Sequence, residues 1–264
     1  MSDHRGVVHQ PATGNVAAQR QFFVTPGRGP ILVVARMSPK LAFQPLVIVS
    51  PAGQSLCMIP IPALLSEPFA AETLAFLRSA VPEPVANHCI RSYVYAELLV
   101  DRWRMREHED YHPLDVFYAV TLHDVGLGRE GARRSDRFEV AGADLAGEFL
   151  QRRGVDQAQI DRIWDAIALN TSTGIAHRRN LLCRVTAVSS GVDFGADSDF
   201  VTDDMATDLH SRYPRLRTAS SMKAAIVGQA KANPAKAPLA SLALYLLTTE
   251  NMSQDENIAA RWGD

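Results

Sequence analysis

The chain has 264 residues, 47% of them hydrophobic, with 27 Lys and Arg against 29 Asp and Glu. That length allows one large domain or two small ones around a sizeable core, and the charge balance supplies no field that favours nucleic acid or an anionic membrane. Three cysteines without CxxC spacing (Cys57, Cys89, Cys183) argue against a disulfide framework and for a reducing compartment.

Residues 1–30, rich in Gly, Pro, Gln and Ala, read as a flexible tail with no basic-then-apolar signal pattern. Two β-branched runs follow, "ILVVA" (31–35) and "LVIVS" (46–50). Two prolines lie between them, so short strands or a hairpin are expected, either as a packing arm or as a poorly ordered extension. From about residue 60 the texture is helical. "PFAAETLAFLRSAV" (68–81) is stopped by Pro82 and Pro84. "NHCIRSYVYAELLVDRW" (87–103) has Asn87 as its expected N-cap. "PLDVFYAVTLHDVG" (113–126) opens on proline and ends in glycine. Helices are also expected over 137–154, 155–170, 180–194, 202–213, 221–233 and 238–251. No apolar run approaches the roughly 18 residues that span a bilayer, which makes a cytoplasmic location the default. With no repeat and no strand–helix alternation, the fold class is all-α: an N-terminal extension over 1–57 and one helical domain over 58–264.

Four polar residues fall in apolar helical contexts: His88, His123, Asp124 and Asp193. A buried carboxylate is normally paired or bound to a metal, and imidazole with carboxylate suits Zn, Fe or Mn. Neighbouring helical side chains diverge by roughly 100°, so His123 and Asp124 can share one ion only at a helix end. Gly126 and Gly128 predict such an end, opened by glycine freedom.

The order His88, His123-Asp124, Asp193 resembles the HD-domain superfamily of metal-dependent hydrolases, with its H…HD…D pattern on an all-α bundle. The blocks "PEPVANHCIRSYVYAELL" (82–99), "FYAVTLHDVGLG" (117–128), "RFEVAGADLAGEFL" (137–150), "IWDAIALNTSTGIA" (163–176) and "SSGVDFGAD" (189–197) resemble the cyanamide hydratase-like branch in consecutive order. "SRYPRL" (211–216) resembles that branch's C-terminal helix block, so the likeness spans roughly residues 58–245. It implies that His88, His123, Asp124 and Asp193 ligate one divalent ion, zinc first, with iron or manganese as the other fits. Asn170 departs from the pattern, which has histidine there. An amide is a poor ligand but a good hydrogen-bonding group, which argues against a second ion and points to altered substrate contact. His177 in "GIAHRR" is the substitute ligand or substrate contact to test.

Arg91, three residues after His88, either orients substrate or pairs with a carboxylate. Asp124, Arg91 and Asn170 are the expected catalytic set. Glu139 and Asp144 are candidates for orienting a ligating histidine, or belong to a solvated face. Thr171 and Ser172 line the pocket or end a helix. Arg129, Arg133, Arg134 and Arg137 form either a mouth for anions or a solvated loop offset by Glu130 and Asp136. Cys89 is expected to project off the metal-facing stripe as a small packing residue. The resemblance implies metal-activated water acting on a small molecule, most like cyanamide or nitrile hydration. The charge balance and the lack of a long apolar run point to no nucleic-acid or membrane partner, and a homo-oligomer is compatible with the sequence. The rival readings are a phosphohydrolase, different iron chemistry on the same fold, and a metal-free binding or regulatory protein.

Overall fold

The computed structural model describes residues 62–249 and 261–264, together with the backbone of two short strands, β1 (Val47–Val49) and β2 (Ser55–Cys57). The strands pair antiparallel, Val47 opposite Cys57. The run at 46–50 therefore forms a strand as expected, but its partner is a segment that carried no sequence signal. The run at 31–35 lies outside the described residues.

Prolines set the helix starts. α1 (Pro68–Ala80) and α3 (Pro113–Leu122) each open on one, where the missing N–H costs nothing and the fixed φ favours the helix. α2 (Glu83–Arg102) also starts at a proline, Pro82 as N-cap, five residues before the expected Asn87. Asn87 instead lies inside the helix and donates to the Pro214 carbonyl at 3.0 Å. After the short α4 (Arg129–Arg133) come α5 (Phe138–Gln151) and α6 (Gln157–Ala168), the latter capped by Asp156. The brief α7 (Ala176–Arg179) precedes α8 (Leu181–Val192), capped by Asn180, and α9 (Asp203–Arg212), capped by Thr202. α10 (Thr218–Ala232) and α11 (Leu242–Thr248) follow. Each side-chain cap satisfies an otherwise orphaned N–H and contributes about 1 kcal/mol.

α2 is the axis of the bundle. It packs on α8 and α3, α3 packs on α6 and α8, and α5 packs on α6. Phe117 meets Tyr93 at 5.2 Å and Phe69 at 5.7 Å between ring centroids, both edge-to-face, tying α1, α2 and α3 together. Burying each such side chain contributes about 1.5–3 kcal/mol. Because α2 is enclosed on nearly every side, its polar residues Asn87, His88, Arg91 and Glu97 are buried with it. Each then needs a partner, since an unpaired buried charge costs several kcal/mol. Those partners build the site. No described helix is long and apolar enough to cross a membrane.

Candidate metal centre

α3 ends one residue before the His-Asp pair. His123 is its C-cap residue, and Asp124, at φ −109 and ψ 12, begins a 3-10 turn over Val125–Leu127. The chain leaves helical geometry there, so the two neighbours no longer diverge. Gly126 has a role other than the expected conformational freedom: its Cα sits against the α5 backbone, where an added Cβ would lie 1.9 Å from the Phe138 carbonyl oxygen. Glycine is required for close approach, which seats the turn on α5.

His88 Nε2, His123 Nε2 and Asp124 Oδ2 form a near-equilateral triangle. The His88–His123 edge is 3.3 Å, His123–Asp124 is 3.1 Å and His88–Asp124 is 3.6 Å. All three residues are buried, and the geometry permits them to hold one ion. A tetrahedral ion with bonds of about 2.0–2.1 Å separates its ligands by roughly 3.3–3.4 Å, so the triangle has the right size.

The other ring nitrogens identify the tautomers. His123 Nδ1 lies 2.7 Å from the Val120 carbonyl, which can only accept, so that nitrogen carries hydrogen. His88 Nδ1 lies 2.8 Å from Asp193 Oδ2, and the same argument holds. In the neutral rings both Nε2 atoms are then lone pairs aimed at a carboxylate oxygen that has no hydrogen-bond partner. Three electron-rich atoms facing one another in a buried site call for a cation. Without an ion, a proton serves in part. Burial works against a charged His123, but Asp124 and then Cys89 outweigh it and raise its pKa well above the ordinary 6.5. Burial dominates at His88 and lowers its pKa. Burial would raise the Asp124 pKa, but the charge and hydrogen bond of His123 outweigh it and hold the carboxyl below its usual range.

Asp193, expected as the fourth ligand, lies outside this triangle. Both its oxygens face elsewhere. Arg91 Nε reaches Oδ1 at 2.8 Å and Nη2 reaches Oδ2 at 2.6 Å, while Arg215 Nη1 donates to Oδ1 at 3.2 Å. Asp193 is thus the carboxylate that orients His88, the role expected of Glu139 or Asp144. Burial alone would raise its pKa; the Arg91 and His88 contacts hold it far below the carboxylate range. Arg91 is correspondingly not free for substrate. Its remaining hydrogens go to the Tyr213 and Pro214 carbonyls and to Thr218 Oγ1, which accounts for all five N–H groups. "SRYPRL" leaves helix α9 after Arg212 rather than forming a helical block, and its loop carbonyls are what clasp Arg91.

The hydrogen bonds of the other expected site residues are made with groups outside the triangle. Asn170 is buried and folds back to donate to its own helix end, the Ile167 carbonyl, at 2.6 Å. His177 is exposed on α7. Glu139 takes a bidentate contact from Arg137 and a short hydrogen bond from Thr171. Asp144 accepts from Trp164 Nε1 at 2.8 Å. The arginine loop faces acids: Arg133 pairs with Glu130, and Arg134 with Glu148. Cys89 departs from expectation in the other direction. Its buried thiol adjoins the His123 ring and the Asp124 backbone, and burial raises its pKa. Phe194 covers the His88 ring at 5.0 Å. Nothing in the spacing marked Cys89, Phe194 or Arg215; the helix end that brings Cys89 to His123 is visible only in three dimensions.

The chain matches no protein-family model and no curated protein.

Proposed function

We propose that this chain is a metal-dependent enzyme of the HD-domain type that activates water for addition to a small neutral electrophile, with a nitrile of the cyanamide class as the best-fitting substrate. The observation that carries the reading is the triangle of two imidazole lone pairs and one unpartnered carboxylate oxygen, at edges suited to a single divalent ion. His88, His123 and Asp124 would hold that ion, with zinc the best match to two nitrogens and one oxygen. When bound, it would supply Lewis acidity and bring the pKa of a water to roughly 7.

The chain's residues do the rest. The Val120 carbonyl and the Asp193 carboxylate fix the two ring tautomers, so that in the neutral rings the nitrogens needed as ligands carry lone pairs. Asp124 is the group available to take a proton from the attacking water. The water oxygen bonds to the nitrile carbon and one C–N π bond opens to give an imidic acid; its O–H proton then moves to nitrogen as the second C–N π bond is exchanged for C=O, giving an amide, or urea from cyanamide.

A phosphate ester needs cations beside the ion. Arg91 has no hydrogen left to offer, and three of the four loop arginines, Arg133, Arg134 and Arg137, pair with acids, which supports a neutral substrate over a phosphate ester. The test is a parallel screen of cyanamide, small nitriles and phosphate esters with added Zn, Mn or Fe. Hydration of cyanamide or a nitrile is expected; turnover of esters alone would overturn the reading.

A further inference from the structure

Each residue of the segment Arg261–Asp264 is tied to the rest of the chain. Arg261 Nη1 donates to the Ser198 carbonyl at 2.6 Å, and Nη2 pairs with Asp203 Oδ1 at 3.2 Å. Trp262 stacks on Tyr95 at 6.2 Å with planes 14° apart and meets His210 edge-on at 5.8 Å. It packs against an apolar cluster that includes Val192, Val201 and Leu209. The Gly263 carbonyl accepts from Arg215 Nε at 2.9 Å. Asp264 accepts from the Ser220 N–H at 3.1 Å and from the Ser220 hydroxyl. This caps α10, whose own N-cap residue, Arg217, is left-handed at φ 60 and makes no side-chain cap bond.

Two routes lead from this segment to His88. The first runs through Arg215, which is buried. Its Nε goes to Gly263, and its Nη1 goes to both the main-chain carbonyl (2.9 Å) and Oδ1 (3.2 Å) of Asp193. A guanidinium is planar, so one rigid plate holds the segment and Asp193 together. The charge of Asp264 also acts on Arg215. Asp193 Oδ2 in turn lies 2.8 Å from His88 Nδ1. The second route runs through the turn after α8. Gly195, at φ 93, lets Arg261 approach so closely that an added Cβ would lie 2.8 Å from the Arg261 Cβ. The residue before it is Phe194, whose ring covers His88 at 5.0 Å. The carboxylate that aims His88 and the ring that covers it are thus backed by the same four residues.

We propose that Arg261–Asp264 is a positioning strap for the metal centre: without being one of its ligands, it holds Asp193 and Phe194 against His88. Its effect on ion affinity rests on the metal site proposed for the triangle; its effect on the turn after α8 does not. Trp262 is the anchor. Its Nε1 makes no hydrogen bond among the described residues, so the flat ring and not the N–H seats the strap.

The test uses the full chain with Trp262→Ala, Trp262→Phe and Asp264→Ala, the last at an exposed position. In the metal-free protein, amide hydrogen exchange is read at Phe194, Gly195 and Ala196, whose N–H groups donate to the Gly191 and Val192 carbonyls. Zinc Kd is read separately, by competition with a chelator. Trp262→Ala and Asp264→Ala should speed exchange at these amides about ten-fold and raise Kd about ten-fold. Trp262→Phe should leave both near their unaltered values. Phe76→Ala removes a ring stacked on Phe149 at 4.2 Å between α1 and α5, and should lower Tm without moving either readout. Should Trp262→Ala not fold, Asp264→Ala decides. Unchanged exchange in the folded strap variants, equal acceleration in Phe76→Ala, or a Trp262→Phe response as large as that of Trp262→Ala would overturn the proposal. So would faster exchange with zinc Kd unchanged. If the unaltered protein binds no zinc, the metal site fails, and exchange at the turn still decides whether the strap holds Asp193 and Phe194.

Discussion

Asp193 Oδ2 lies 2.8 Å from His88 Nδ1, and the same carboxylate is clasped by Arg91 at 2.6 and 2.8 Å. One buried anion therefore aims a ligand and neutralises a guanidinium at once.

That double role predicts the outcome of Asp193→Asn. The amide keeps the shape but leaves Arg91 and Arg215 without a counter-charge, so stability should fall by about 3–5 kcal/mol in urea unfolding. Metal affinity should fall about 10–100-fold, the usual effect of losing a group that orients a ligand. Complete loss of metal from folded Asp193→Asn would instead mark Asp193 as a direct ligand.

Asp124→Ala removes a corner of the triangle. Elemental analysis should find about one equivalent of divalent metal in the unaltered protein and little in the variant. Adding metal to the chelated protein should stabilise it by about 4 kcal/mol at a thousandfold excess over Kd. No such gain is expected for Asp124→Ala.

Gly126→Ala tests the seating of the turn. A Cβ there would lie 1.9 Å from the Phe138 carbonyl, a backbone atom that cannot swing aside. The turn must move off α5, at a cost of at least about 3 kcal/mol. Metal content should fall with stability, since Asp124 belongs to the displaced turn.

Asn170→Ala should behave differently. Its amide donates to Ile167 at the end of α6, so its loss should cost about 1 kcal/mol and leave metal stoichiometry unchanged. A change in metal content would show that Asn170 reaches the ion.

His210 sets an acid limit to stability. It is faced by Arg91 from α2, Asp193 beyond α8 and Arg215 before α10, and burial lowers its pKa from 6.5 to about 4. Below 6.5 the unfolded chain takes up a proton that the folded chain refuses. This contribution is present above pH 6.5, declines as pH falls towards 4 and is lost below it. Denaturation midpoints should drop across that window, and less steeply in His210→Gln.

Much of the helical framework was legible because its signals are local. Apolar spacing and terminal prolines located α1 and α3 within a residue or a few at each end. The four polar residues in apolar settings were legible as well, since burial of such groups demands partners. Which partner each acquires was not. Asp193 reads as a ligand by its type and order, yet its surroundings are decided by Arg91 on α2 and Arg215 in the loop before α10, far apart in sequence. α4 and α7, at five and four residues, are too short to show a period. Asn87 reads as a cap because Pro82 and Pro84 read as the stop of α1, whereas Pro82 is also the start of α2.

The two histidines are held by unlike means. His88 is aimed by a side chain, whereas His123 is aimed by the main-chain oxygen of Val120. A single base change can alter Asp193 and so retune His88. No codon encodes a residue without a carbonyl, so the support beneath His123 passes unchanged through any substitution at Val120 that preserves the helix. Descendants of this chain have one adjustable imidazole and one that heredity cannot easily reach.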